Sequence, residues 1–369
     1  MENRKEEYDL IVIGGGASGL TLGIIAKNRG KKVLVLEANE RVGKKILATG
    51  NGKCNLSNAH IDKCNYNTEL VEQFLLQQSK VCEYFDMLGL KTKLVDDRYY
   101  PYSESAKTVL NLLRDRLGNV HMLTDYRVNT LVKEKDLFII NKQYTAKKIA
   151  ICTGSNANFG INSHNLLTNF GHSITKLYPS LVPLETDTTF IKKLNGLRAK
   201  VRVNLIDNSN NIVDTQLGEI LFRTNGVSGI AIFMISSYLA RNNGSYRLSI
   251  DFAPDLSVED VNEFLNNNTI FGLLNSEIAD SVVMQASSRN VDLCEVVKDF
   301  QLKDLKLGDI RNAQVVSGGV PLEEFDENLE SKKCASLFAC GEVLDVDGDC
   351  GGYNLNWAFL SAIIVGNII

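Results

Sequence analysis

Between Tyr8 and Glu37 the chain reads YDLIVIGGGASGLTLGIIAKNRGKKVLVLE: a buried-strand run, a glycine turn, an apolar helix and a second strand that stops on an acid. Few folds accept that order. Asp9 to Ile13 is largely apolar and β-branched at consecutive positions, as a parallel strand covered on both faces requires. Gly14, Gly16 and Gly19 then fill the G-x-G-x-x-G spacing. Gly14 permits the tight turn, Gly16 lets backbone approach a pyrophosphate, and Gly19 lets the following helix lie close on the strand. With Ala17 and Ser18 the turn opens a helix whose free N–H groups and positive end favour an anion. Glu37, about 20 residues further on, is placed to accept ribose hydroxyls and would repel a 2′-phosphate, with Ala38 beside it. A glycine triplet alone marks many turns. In register with strand, helix, strand and acid, it predicts a doubly wound α/β sheet that binds a dinucleotide.

A chain of 369 residues is long enough for two domains with sizeable cores. Lys and Arg number 40 against 44 Asp and Glu, and a net charge of −4 argues against a general nucleic-acid or membrane-surface binder. The start, MENRKEEYDL, has no apolar signal region, so the expected location is the cytoplasm. None of the eight cysteines forms a C-x-x-C pair, which disfavours zinc and a thioredoxin-like motif and leaves most as reduced, buried hydrophobes. Leu355 to Ile369 is the longest apolar run; shorter than a bilayer span of roughly 20 residues and broken by Asn356 and Asn367, it reads as a core helix.

After Glu37, RVGKKILATGNGKCNLSN has the glycines and polar residues of a ligand-covering loop. Glu69 to Leu88 and Ala106 to Leu117 carry apolar residues at helical spacing. Val120 to Leu123, Arg127 to Val132, Leu137 to Ile140 and Lys148 to Cys152 read as short strands, a β-meander followed by a return strand. That strand ends at Thr153-Gly154, a second place where backbone can approach a ligand. From about Glu185 to Phe325, alternating strands (Ala199 to Ile206, Ile212 to Leu217, Tyr246 to Asp251) surround helices, the texture of an inserted domain. Ser336 to Cys340 then resumes the first sheet and leads through Gly341-Glu342 and DVDGDCGGYN into the last helix. The expected domains are therefore 1–184, 185–325 inserted, and 326–369 completing the first.

Taken together, the triplet, the GNGKCNLSN loop and the closing FACGEVLDVDGDCGGYNLNWAFLSA resemble the HI0933-like flavoprotein family, also called the BaiN or aminoacetone oxidase-like family. Gly43-Lys44-Lys45 and Gly50 to Asn58 match its loop nearly residue for residue, and Gly341 to Gly348 with Gly351 to Trp357 match its tail. RYYPYSESA, LVPL, LFRTNGVSG and AQVVSGGV carry weaker matches between them, so the resemblance spans nearly the whole chain. It implies FAD, held by a Rossmann-like domain with a β-meander into which a small β-barrel and helical domain is inserted. Three departures stand out: CTGSNANFGINSHNLL replaces a glycine-rich segment, Arg223-Thr224-Asn225 replaces Thr-His-Thr, and Asp349-Cys350 replaces Pro-Thr.

The resemblance assigns Gly14 to Gly19 to the pyrophosphate, Glu37 to the adenosine ribose and Val128 to the adenine side. Lys44 is read as a phosphate partner, against a solvated surface lysine. Asn51, Gly52, Cys54 and Asn55, with Thr153 and Gly154, are read as approaching the flavin or ribityl chain. Glu342, with Gly341 and Asp345, is either a ribityl ligand or a helix N-cap carboxylate, and the first is favoured. Gly351, Gly352, Tyr353 and Asn354 open the last helix, whose positive end would stabilise negative charge on reduced flavin. Cys54 has no partner at the spacing of a redox disulfide, so it is read as packed rather than nucleophilic. The histidines at 60, 121, 164 and 172 form no cluster and are read as isolated surface residues. Tyr99, Tyr100 and Tyr102 line a substrate pocket or merely pack. No catalytic residue and no metal site is assigned. The expected activity is an FAD-dependent oxidoreductase acting on a small molecule. With no second G-x-G-x-x-G, NAD(P)H could reach the flavin only as a transient electron donor. The alternative is an FAD-bound scaffold or RNA-modification flavoprotein, disfavoured by net acidity. Oligomeric state is not legible.

Overall fold

The computed structural model describes residues 6–157 and 164–369, which form two units: 6–157 and His164–Leu177 with Val315–Ile369, and Tyr178–Gln314. The expected insert ran from 185 to 325. The difference at its end follows from backbone pairing. Gln314 N–H still bonds Leu181 O at 3.2 Å, whereas the Val316 amide turns to Glu342, and Val320 exchanges hydrogen bonds with Val343 and Asp345.

The first unit is built on β1 (Glu6–Ile13), α1 (Ala17–Asn28), β2 (Val33–Leu36), β3 (Tyr144–Ile151), β4 (Leu337–Ala339) and α2 (Tyr353–Gly366). β1 is central. It pairs in parallel with β2, Leu10 opposite Val33 through Ile13 opposite Leu36, and on its other side with β3, Leu10 opposite Lys148 through Ile13 opposite Ile151. His121–Leu123 adds a parallel strand outside β2. Leu131–Glu134 and Leu137–Ile140 form the antiparallel meander that runs into the first half of β3, while β4 pairs in parallel with its second half. Burial follows the pattern read from sequence: Leu10, Ile11 and Val12 are wholly enclosed, as are Leu34 and Val35.

α2 lies against α1 and buries Trp357, Phe359, Leu360, Ala362 and Val365 in the same core. The apolar C-terminal run is thus a core helix, and among the described residues no helix is long and apolar enough to cross a membrane. The expected helix over Glu69–Leu88 is broken into a 3-10 turn at Glu69–Val71 and helices at Glu72–Leu75 and Ser79–Leu88. Thr92–Val95, Arg98–Pro101 and Ser57–Asn58 form a small antiparallel sheet that the hydrophobic pattern did not announce.

The second unit has its own core around Val201, Val203, Ile220, Phe222, Leu248 and Phe300. Seven of its strands form one antiparallel sheet, with Arg198–Asp207 and Ile212–Arg223 as a long central hairpin. Helices at Ile230–Arg241, Val258–Asn267, Ser276–Arg289 and Leu293–Lys298 accompany the sheet.

Candidate cofactor site

The carboxyl edge of the first sheet gathers most of the expected residues. The Gly14 amide donates to Leu36 O at 2.7 Å, which folds the turn back on β2. At Gly14 φ is +109°, and a Cβ there would stand 2.3 Å from Cys152 O, so only glycine serves. A Cβ at Gly19 would lie 1.8 Å from Gly14 O. These two glycines are required by the protein itself. Gly16 differs: a Cβ there would meet nothing within 4 Å, and its φ of −82° suits any residue. The space it faces is open, and α1 begins beside it with no side chain capping its first amides.

Glu37 closes the same corner. Its Oε2 accepts the Gly15 amide at 2.8 Å, and its Oε1 accepts the Asn39 amide at 2.8 Å and Asn39 Nδ2 at 2.7 Å. A carboxylate offers about four acceptor positions, so this one is rigidly aimed and retains capacity for a hydroxyl. Ala38 follows it, half-buried. The Tyr126 amide bonds Glu37 O at 2.9 Å, which brings the segment of buried Val128 to the acid.

Across the turn, a Cβ at Gly14 would lie 2.9 Å from Thr153 N, and Thr153 Oγ1 is buried without a partner among the described residues. Gly154 has φ +63° and packs near Glu342. Of the altered segment that follows, residues 158–163 lie outside the described residues. Gly341, the other flank, abuts Ser18 on the first turn of α1: a Cβ there would be 3.0 Å from Ser18 Oγ.

Glu342 is a hub rather than a cap. Its Oε2 pairs with Lys45 Nζ at 2.6 Å, and its Oε1 accepts Ser155 Oγ at 2.7 Å and the Val316 amide at 2.9 Å. Lys44, the lysine singled out from the sequence, is exposed. Two adjacent lysines in an irregular loop carry no periodicity from which to tell which one turns inward. Gly15 and Ser155 were likewise missed.

The second cluster surrounds the start of α2. Asn58 Nδ2 donates to Gly351 O at 3.0 Å, and Asn354 clasps the loop before it, accepting the Gly348 amide at 2.8 Å and donating to Gly348 O at 2.7 Å. Gly352 has φ +103°; a Cβ there would meet Asn55 Oδ1 and Ser57 O, each at 2.7 Å. Asn55 is 8 % exposed, and its Oδ1 has no partner among the described residues. Tyr353 packs edge-on to Tyr66 and donates to His60 O at 3.3 Å. Asp345 accepts Thr175 Oγ1 at 2.7 Å and Asn67 Nδ2 at 3.1 Å, so it braces the loop. Asn51 and Gly52 lie on an exposed turn with φ of +53° and +85°.

Cys54 is fully buried, and burial pushes its thiol up to about 12, which keeps it protonated at neutral pH. All eight cysteines are free. Two histidines depart from the surface reading: His164 and His172 are buried, the latter with Nδ1 2.6 Å from Glu324 and Nε2 2.7 Å from Ser331 Oγ. Partners more than 150 positions away leave no mark near LLTNFGH. Among the described residues no group of His, Cys, Asp or Glu could hold a metal ion.

The open space at Gly16, the uncapped amides on α1, and the orphaned Thr153 and Asn55 oxygens all fit an extended dinucleotide cofactor. The fold is Rossmann-like, and the family match and its relatives make the class that of the FAD-dependent oxidoreductases. The chain belongs to the HI0933-like family, whose Rossmann-domain model matches residues 8–368. It is 30 % identical to a 3-dehydro-bile acid delta(4,6)-reductase of Clostridium scindens, covering 96 % of this chain and 97 % of the relative. It is 26 % identical to a ribosomal RNA dihydrouridine synthase of Escherichia coli, covering 97 % and 96 %. In fold it is similar to a 3-ketosteroid-delta4-(5alpha)-dehydrogenase of Rhodococcus jostii, with a TM-score of 0.51 at 14 % identity over 98 % of this chain and 96 % of that one.

Proposed function

We propose that the chain is an FAD-dependent reductase of carbon–carbon double bonds conjugated to a carbonyl, acting on a small organic molecule. The observation that carries the reading is the open space at Gly16 on the glycine turn, beside the uncapped start of α1, together with the unpartnered buried Thr153 Oγ1 and Asn55 Oδ1. FAD, when bound, supplies two-electron transfer chemistry. Gly14 to Gly19 and the α1 amides would hold its pyrophosphate, Glu37 its ribose, and Asn55 and the start of α2 its flavin end. The α2 amino terminus, with no capping side chain, favours negative charge there. The substrate class is supported by what the two relatives' names share: a delta(4,6) reduction in a 3-dehydro-bile acid and the making of dihydrouridine both add two hydrogens across a double bond conjugated to a carbonyl.

A second reading, reduction of uracil within ribosomal RNA, is favoured by the named activity of the Escherichia coli relative and opposed by a net charge of −4. The test starts with purified protein reconstituted with FAD and bleached anaerobically by NADH or NADPH. Recovery of yellow colour on adding a 3-oxo-4-ene steroid supports the first reading; recovery only with ribosomal RNA supports the second. A folded protein that takes up no FAD overturns both.

A further inference from the structure

We infer that Lys45 is the counterion for the cofactor's pyrophosphate, an inference that rests on the FAD reading above. Its backbone is anchored at the right place: the Gly43 amide, two residues earlier, donates to Gly15 O at 2.8 Å, inside the glycine turn. Its ammonium is anchored from the opposite side by Glu342 at 2.6 Å, with Ser155 Oγ at 3.4 Å. The residue before Glu342 is Gly341, which lies against Ser18 of the first turn of α1. The charge is therefore held between two segments, one bonded to the glycine turn at Gly15 and the other packed on Ser18, that flank the uncapped start of α1 where phosphate would sit.

The electrostatics favour such a cation. A pyrophosphate brings two negative charges to an edge that already carries the carboxylates of Glu37 and Glu342. An ammonium has three donors, and Glu342 engages one closely, so Lys45 can bridge that carboxylate and a phosphate oxygen together. A partly exposed ion pair adds little to folding stability, so the fold alone gives little reason for this lysine to turn inward. Ser155 and the Val316 amide hold Glu342 in place, and Glu342 in turn positions Lys45.

The experiment measures FAD affinity by flavin fluorescence quenching, and ADP affinity by competition, for wild type, Lys45→Met, Lys45→Arg and Lys45→Met with Glu342→Gln. Circular dichroism checks folding throughout. The expected result is that Lys45→Met weakens FAD and ADP by the same factor, tenfold or more, with a shallower salt dependence. Lys45→Arg should recover most of the loss, and Glu342→Gln added to Lys45→Met should recover part of it by removing the uncompensated carboxylate. Unchanged FAD affinity in folded Lys45→Met overturns the inference, as does weakened FAD with unchanged ADP, which would move Lys45 to the flavin end. If Lys45→Met does not fold, the Lys45→Arg variant decides: an ADP affinity reduced as far as by removing the charge altogether, measured on Lys45→Gln, also overturns it. Folded wild type that binds neither FAD nor ADP sinks the FAD reading itself, before any variant is compared.

Discussion

Gly16→Ala separates what the protein needs from what the cofactor needs. The added methyl meets no protein atom within 4 Å, and φ −82° with ψ −161° is ordinary extended backbone for alanine. Two small effects on folding oppose each other: alanine lowers the entropy of the unfolded chain, worth about 0.4–1 kcal/mol, and is a poorer N-cap than glycine by a similar amount. The apoprotein should therefore melt in urea within about 1 kcal/mol of wild type. FAD should suffer. A methyl in the space a phosphate must enter is overpacking of roughly 1–3 kcal/mol, or about 5- to 150-fold in Kd. Urea denaturation of the apoprotein and fluorescence titration with FAD measure the two halves. An FAD affinity within twofold of wild type would refute the placement of the pyrophosphate at Gly16. A destabilised apoprotein would refute the claim that the space is open.

Gly352→Val should damage fold and cofactor binding together, because its Cβ collides with Ser57 backbone; a urea midpoint equal to wild type would contradict this. Glu37→Ala should weaken FAD by about 1.5–3 kcal/mol through loss of a charged acceptor, and full occupancy after dialysis would exclude Glu37 as the ribose ligand. Cys54→Ala should keep its flavin and still be bleached by whichever of NADH and NADPH bleaches wild type, since the thiol stays protonated. Burial holds the His172 pKa below its usual 6.5 despite Glu324, so the neutral form is the one the fold favours. That stability is complete above 6.5 and is lost as pH falls through the lowered value. Thermal melts from pH 7 to 5 should fall more steeply in wild type than in His172→Gln.

The first strand, turn, helix and second strand were legible because each obeys a local rule: a buried run, glycines at fixed offsets, an acid closing the unit. Tyr246–Asp251 and Ala106–Leu117 lie where alternation and helical spacing put them, for the same reason. What stayed hidden depends on partners distant in sequence. Asn67 illustrates it: an unremarked loop residue whose side chain donates to Asp345 and accepts the Asp347 amide, tying position 67 to the closing loop. Lys45 was hidden by Lys44, and the broken helix over Glu69–Leu88 by an apolar spacing that its interruptions do not disturb.

The first sheet joins residues near both extremities of the chain, with β1 beside β3 and β4 on the far side of β3. Gly341 reaches Ser18, and Gly352 reaches Asn55, only when β4 and α2 are in place. On the ribosome, where synthesis runs from the amino end, the glycine turn therefore exists long before the wall that faces it. The two faces of that edge therefore come from segments made more than 300 residues apart, and neither is a complete site without the other.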